Sequence, residues 1–575
     1  MAQRILNSAL AVIGVFAVRQ LYRLYVSAKR QPGLPPGPPT LPFIGNLHIF
    51  PREQLQYKFT EWAKVYGDIF SLKAMHLTVI VLNSPTAVKE VINKRGATSC
   101  DRPASAISDL ITPDNLNLAS GRHANDIWRA LRRAAMHMLR PENMDTFKPL
   151  QRAEAAQLMW EMSVRPENFW EDIARFTTSF FMGVIYGVRA PRASSYAAKA
   201  FTETQTEFML CMEVGKAPPV DVFPILKAVP KPFARWKQRA LDLRKRQEAL
   251  FQYLLNKVET RILRGDSNGA FMEEACAQAS EWELTPSLLL HLGGVLLQGS
   301  DTSSAIMQDF ILFLSSHPQV QKKAQEEMDA VVGLEQPPTW DDLEKLPYLQ
   351  AFLDECMRFR PIGPLALPHA MAEDDTVSHN LVLLGGKFNS WQFNGMLFPK
   401  DAIVFINLCI NVLLSRVLNT HFSIGAIFHD ERFYEEPSAF RPERFLNNRL
   451  GTKPGIVDDP ARRDTLVFGG GQRICPGSYT GRAGLEINLA NFIWAFDFSP
   501  GLSPSGTPIE HDLWAYTNGV NLAPLPFKAT IRVRSPEKMA IIRRHFVEQR
   551  SLLVPFERDL DAEDQEYIRN FLPQS

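Results

Sequence analysis

The sequence predicts a mainly α-helical fold with a small β part, organised around one long apolar central helix. Three observations carry that reading. Apolar residues recur at three- and four-residue spacing through most of the stretch from Asn125 to Val332. Runs rich in β-formers are confined to short pieces, the clearest being Ile69–Leu72 and Leu77–Leu82. The composition, 45% hydrophobic and 22% charged over 575 residues, is that of an ordinary globular chain and excludes global disorder. Length alone suggests three or four folding units at about 150 residues each. Lys plus Arg is 63 and Asp plus Glu 62, a net charge of +1, so no whole-molecule field draws in nucleic acid, which is not expected as a partner. The six cysteines stand singly, without Cys-x-x-Cys, and the histidines show no zinc spacing; a disulfide framework and a zinc site are both disfavoured.

Residues 1–30 read as a membrane anchor. Ile5–Val18 is apolar but short, spanning about 21 Å as a helix against a hydrocarbon core of about 30 Å. Continuing to Val26 reaches 22 residues if Arg19 and Arg23 snorkel beside Tyr22 and Tyr25. A cleavable signal peptide is the rival reading, but no A-x-A-type site follows. Arg19, Arg23, Lys29 and Arg30 lie after the run and only Arg4 before it, which places the body in the cytosol. Residues 31–50 form a proline-rich hinge, in which Pro32–Pro42 forbids helix and favours stiff polyproline II; any proline-rich linker would look the same.

In the body, residues 51–535, a helical period follows the two β runs from Ala87 to Arg95. Helices are then predicted over Glu154–Met162, Trp170–Tyr186, Phe233–Leu263, Thr285–Ser316 and Pro318–Val331. The fourth opens with an N-cap threonine and a proline at its first turn, stops before Pro318 and is apolar almost all round, so it is the expected buried central helix. After Ser535 a charged C-terminal tail, 536–575, is expected.

One cysteine sits in a specific frame. Phe468 to Gly477 fits F-x-x-G-x-R-x-C-x-G, a pattern that average composition supplies on the order of once in several million start points. The residue types suit a thiolate: Arg473 and the N-terminus of a following helix favour the anion, and Gly471 and Gly477 let backbone N–H groups approach the sulfur. A thiolate so held fits the axial position on heme iron, while a buried inert cysteine is the bland alternative.

This stretch resembles the heme-binding signature of the cytochrome P-450 monooxygenases, and the resemblance runs from Pro35 to about Ser535. It implies the P-450 fold, with the long central helix over a heme b whose iron, the metal, is ligated by Cys475; Phe468 and Arg473 belong to the cofactor-binding loop. Four further motifs follow in the family's order. Trp128–Arg132 is similar to W-x-x-x-R, in which Trp128 and Arg132 bond a heme propionate. Gly299–Thr302 resembles the oxygen-activation motif, with Asp301 and Thr302 as the catalytic proton relay; Gln298 replaces the family's usual small residue. Glu355–Arg358 matches E-x-x-R, and the resemblance assigns Arg444 to complete a buried structural ionic triad with Glu355 and Arg358. His369 stands where relatives place a propionate-binding cation, a satisfied core histidine being the other reading.

Two segments interrupt the family pattern. Relatives run almost directly from an acidic pair like Asp374–Asp375 to a segment like Asn394–Pro399, yet the 16 residues Val377–Gln392 intervene. Cys409–Gly425 puts 17 residues where relatives have a single tryptophan. Both have the character of translated introns: neither breaks the frame, the first begins with valine and ends with glutamine codons compatible with splice boundaries, and removing the second can rebuild a tryptophan codon. Lineage-specific surface loops are the alternative. Transcript sequencing is expected to show both segments spliced out; a mature message retaining both would exclude the intron reading.

The resemblance implies a fungal microsomal enzyme of secondary metabolism that inserts one oxygen atom from O2 into a small lipophilic substrate. Its expected place is the endoplasmic reticulum membrane, with a single anchor and a cytosolic catalytic domain. Electrons would come from NADPH through the flavins of a separate NADPH-cytochrome P-450 reductase, with cytochrome b5 as a further donor, since no G-x-G-x-x-G site appears. The rivals are a reductase-independent heme-thiolate isomerase or dehydratase, which commonly lacks the Asp-Thr pair, and a non-catalytic membrane-tethered heme- or lipid-binding protein. Substrate identity falls to Ala104–Arg122, Phe208–Phe233, Leu289–Gly294, Ile362–Leu367 and Ala515–Val520, whose composition predicts an apolar pocket.

Overall fold

The computed structural model describes residues 2–379, 393–408, 427–456 and 464–573. Cys409–Gly425, and the part of the first interruption beyond His379, lie outside the described residues. Helices of ten or more residues are numbered here. Helix α1, Ala2–Ala28, carries an exposed apolar stretch, Ile5–Ala28, of 24 residues. At 1.5 Å per residue that is about 36 Å, enough to cross a bilayer.

The proline-rich segment does not swing freely, because Arg30 and Ser71 bind it to strand β1, Ile69–Ala74. Arg30 donates to the Pro35, Pro38 and Ser71 carbonyls, and the Ser71 N–H donates to Pro36 O at 2.8 Å. A Cβ on Gly37 would meet Ser71 O at 2.0 Å, so only glycine permits this approach. Strands β1, β2 (Leu77–Leu82), β6 (Ile403–Ile406) and β3 (His369–Ala370) form one sheet in the order β1-β2-β6-β3. The β1–β2 pair is antiparallel, with Ile69 opposite Leu82, and β2–β6 is parallel. Two antiparallel pairs stand apart: β4 (Asp375–His379) with β5 (Phe393–Phe398), and β7 (Phe496–Pro500) with β8 (Ala529–Val533).

The helical body comprises α2 (Leu55–Tyr66), α3 (Asp126–Met138), α4 (Lys148–Val164), α5 (Phe169–Tyr186), α6 (Tyr196–Met212) and α7 (Arg235–Arg264). The expected central helix is two helices, α8 (Pro286–Leu297) and α9 (Ser300–Ser316), joined by a turn at Gln298–Gly299. There the Gly299 N–H reaches Leu296 O, an i→i−3 bond that tightens the ladder. The turn also divides the core. Leu292 and Leu297 of α8 pack with Leu131, Ile185 and Leu254, whereas Phe310 and Phe313 of α9 pack with Phe352, Leu489 and Trp494. Gly293 and Gly294, expected beside the substrate, instead let α8 cross α5 and α7: a Cβ on either would fall 2.5 Å or less from Tyr186 or Phe251.

Helices α10 (Pro318–Val331), α11 (Pro347–Phe359) and α12 (Ser478–Ala495) complete the heme-side body. The charged segment after Ser535 is no loose tail. It folds into α13 (Pro536–Gln549) and α14 (Ala562–Phe571), and Phe546, Leu553, Ile568 and Leu572 enter the core cluster of α4 and α5. Arg189 bonds both Glu154 and Glu557, and Arg192 bonds Asp564, so charges of this segment help to fasten it.

Candidate active site

The cysteine loop is shaped by its glycines. Gly469 and Gly471 have φ of +86° and +60°, and a Cβ on Gly471 would meet Ile92 O at 2.5 Å. The Gly471 N–H donates to Asn93 Oδ1 at 2.9 Å. Asn93 is delivered by a π-helical turn, Lys89–Asn93, inside the region expected as a regular helix; the wider turn aims Ile92 and Asn93 at the loop. The Cys475 N–H donates to Phe468 O at 2.9 Å, closing the loop just before Gly477 caps α12.

Cys475 is accessible, although the protein around it still desolvates its thiol. Burial pushes the thiol above its ordinary range, while the Gly477 N–H and the Arg132 guanidinium pull it back. The cation beside the sulfur is therefore Arg132, whose Nη2 also donates to Ile474 O at 2.8 Å. Arg473, expected in that role, turns the other way. It donates to Cys100 O and Gly121 O, both at 2.7 Å, and lies over the Trp128 ring at 3.8 Å. The Trp128 N–H, expected on a propionate, donates to Leu118 O at 2.9 Å.

Arg102, which no motif announced, joins Arg132 and Arg473. It is buried and donates to the Ala119, Leu367 and Pro368 carbonyls. Burial and mutual repulsion bring Arg102 down to about 9 and Arg473 to about 10, and Asp101 is the acid beside them. Arg473 Nη1 is buried with no partner. Three neighbouring guanidiniums, one with an orphaned donor, suit an anion, and Arg102, Arg132 and Arg473 would hold the propionates of a heme ligated by Cys475. His369 is not part of the charge. Its Nδ1 lies 2.8 Å from Ser99 O, and burial with Arg102 and Arg473 lowers it to about 3, which favours the neutral ring.

The turn at Gln298–Gly299 sets up the second group. Gly299 is exposed, the Thr302 hydroxyl donates to Gly299 O at 3.2 Å, and Ser300 Oγ is buried without a partner. Burial raises the Asp301 carboxyl above the usual range; the Gln205 amide on α6 lies beside it without completing a well-formed hydrogen bond. Behind the cysteine loop, Arg358 is bidentate on Glu355 at 2.7 and 2.8 Å, and Arg444 reaches the same carboxylate at 3.1 Å. The Arg441 N–H adds 2.7 Å, and Arg358 also donates to the Phe428 and Pro437 carbonyls. This buried triad thus ties α11 to the stretch that leads into the cysteine loop.

The family model described as Cytochrome P450 matches residues 35–411 and 418–528. A cytochrome P450 monooxygenase of Armillaria gallica is 37% identical over 541 residues, covering 94% of this chain and 96% of its own. The cytochrome P450 monooxygenase acuD of Aspergillus aculeatus is 32% identical, covering 96% and 98%. The cytochrome P450 monooxygenase patI of Penicillium expansum is 31% identical, covering 94% and 96%. Since these matches run through the cysteine loop and the broken central helix rather than around them, the chain belongs to the cytochrome P450 family and is a heme-thiolate monooxygenase.

Proposed function

We propose that the protein oxygenates a small lipophilic substrate in fungal secondary metabolism, at the endoplasmic reticulum membrane, with electrons passed from NADPH by a separate flavin reductase. The observation that carries this reading is the Cys475 loop, with Arg132 acting on its thiol and the buried Arg102 and Arg473 close to Arg132. Cys475 would hold the heme iron, and Arg102, Arg132 and Arg473 would neutralise the propionates. The heme supplies the activation of dioxygen, of which one atom enters the substrate and the other leaves as water. The chain's own residues manage protons: desolvation favours a protonated Asp301 carboxyl, and Thr302 holds its hydroxyl against Gly299 O one turn away. The exposed apolar α1 supports a membrane anchor, and its fastening through Arg30 would hold the body close to the bilayer.

With a reductase and NADPH, the protein is expected to give a thiolate-type ferrous–carbonyl spectrum and to convert one component of the producing cell's extract to a product heavier by one oxygen atom. NADPH-independent conversion would overturn the reading in favour of an isomerase or dehydratase. Thr302→Ala is expected to lower product formed per NADPH consumed by about 10²-fold, read by product mass against NADPH oxidation. Unchanged coupling would remove Thr302 from the relay.

A further inference from the structure

We propose that Asp309, Tyr516 and Arg360 form a buried cluster that fixes the height of the Ala515–Leu525 hairpin over the substrate cavity, making Asp309 and Tyr516 positioning residues for the oxygenation. The inference rests on the reading of Ala515–Val520 as a cavity wall.

Asp309 lies seven residues beyond Thr302, two turns along α9 and on the same face. It is 1% exposed, and its carboxyl group accepts a hydrogen bond from the Tyr516 hydroxyl. Arg360, just past the end of α11, donates Nε and Nη2 to Leu513 O at 3.1 and 2.9 Å. Its guanidinium packs against the Trp514 and Tyr516 rings at 3.7 and 4.6 Å. Burial pushes the Asp309 carboxyl up to about 8, against the pull of Tyr516 and Arg360, so the tie to α9 is a hydrogen bond more than an ion pair.

These contacts do more than fill a core, because they fall on different parts of one hairpin. Arg360 holds the strand entering it, and the Leu522 N–H donates to Ile362 O at 2.7 Å on the strand leaving it. Tyr516 pins the stem to the helix that carries Asp301 and Thr302. The ladder closes at Thr517 N–H to Ala523 O, 2.9 Å, and beyond it Gly519 at the tip approaches Glu213 just past α6. Three of the five segments expected to face the substrate, 208–233, 362–367 and 515–520, therefore meet through this hairpin. Its stem sets where the tip sits.

The test uses the heme-loaded full chain and two azoles that bind iron through nitrogen, imidazole and the larger 4-phenylimidazole, titrated by absorbance. Tyr516→Phe removes only the hydroxyl. It is expected to weaken 4-phenylimidazole about fivefold while imidazole changes less than about twofold. Asp309→Asn keeps an acceptor for Tyr516 and is expected to retain the wild-type ratio; Asp309→Leu is expected to reproduce the Tyr516→Phe ratio. An unchanged ratio in Tyr516→Phe, equal weakening of both azoles, or loss of the ratio in Asp309→Asn would overturn the proposal. Should Asp309→Leu fail to fold, the Tyr516→Phe and Asp309→Asn pair decides. A wild-type protein without a thiolate-type carbonyl spectrum would instead count against the heme-thiolate site, a result separable from any change confined to the variants.

Discussion

Cys475→Ala is expected to abolish both the thiolate-type ferrous–carbonyl spectrum and monooxygenase turnover while leaving the polypeptide folded. The first part follows from ligand supply. Among the described residues no cluster of three His, Cys, Asp or Glu side chains is placed to hold a metal ion. The other described cysteines lie outside the Phe468–Gly477 loop, and two of them are packed in apolar clusters: Cys211 with Ile111 and Leu243, Cys356 with Phe352 and Leu353. The second part follows from where the sulfur lies. It is accessible rather than packed in the core, and what shapes the loop is the Cys475 N–H on Phe468 O and the Gly471 N–H on Asn93, both of which alanine preserves. Circular dichroism should therefore match the wild type while the carbonyl spectrum does not. A variant that kept the thiolate-type spectrum would refute the assignment.

Glu355→Gln is expected to cost about 3–5 kcal/mol, because it leaves Arg358 and Arg444 buried without their shared carboxylate. Their side chains are only 2% and 5% exposed, too little for water to take its place. Folded domains are stable by only about 5–15 kcal/mol, so the loss is a large fraction of the whole. It should also be felt at the heme, since Glu355 accepts from the Arg441 N–H and Arg358 fixes the Phe428 and Pro437 carbonyls on the path to the cysteine loop. The expected result is a low yield of protein that loses heme at denaturant concentrations the wild type tolerates, followed by Soret absorbance. A denaturation midpoint equal to wild type would show that the triad is not needed for stability. Arg444→Lys keeps the charge but not the planar fork and should fall between the two.

Much of this architecture was legible in the sequence because its signals are local. The helical periods at 154–162, 170–186 and 318–331 fall inside or on observed helices, since amphipathic spacing reports a face that must be buried. The cysteine frame was legible because glycines with positive φ and a sulfur-facing N–H must sit at fixed offsets. The sequence misled where neighbours in the chain are not neighbours in space. Arg473 stands two residues from Cys475, yet in this irregular loop its side chain points the other way, and the sulfur's cation comes from Arg132. Asn93 and Arg102 escaped notice because partners that place them lie hundreds of positions away, 378 for Asn93 and Gly471 and 265 for Arg102 and Leu367. The charged segment after Ser535 was legible only as charged, because composition reports charge and not whether a buried opposite charge awaits it.

That last segment bears on the order in which the protein can be completed. Arg189 has one carboxylate partner 35 residues earlier in the chain and another 368 residues later. During synthesis the body and the cysteine loop are made before Glu557 and Asp564, so the nascent protein carries Arg189 and Arg192 lacking these carboxylates. The surfaces later covered by Phe546, Leu553 and Ile568 are open at the same stage. Heme can thus meet its loop before the last helices have closed over α4 and α5, and a ribosome stalled in that interval holds a chain with sticky, half-neutralised surface. Synthesis and docking of residues 536–572, rather than arrival of the heme, is the event that seals this side of the molecule.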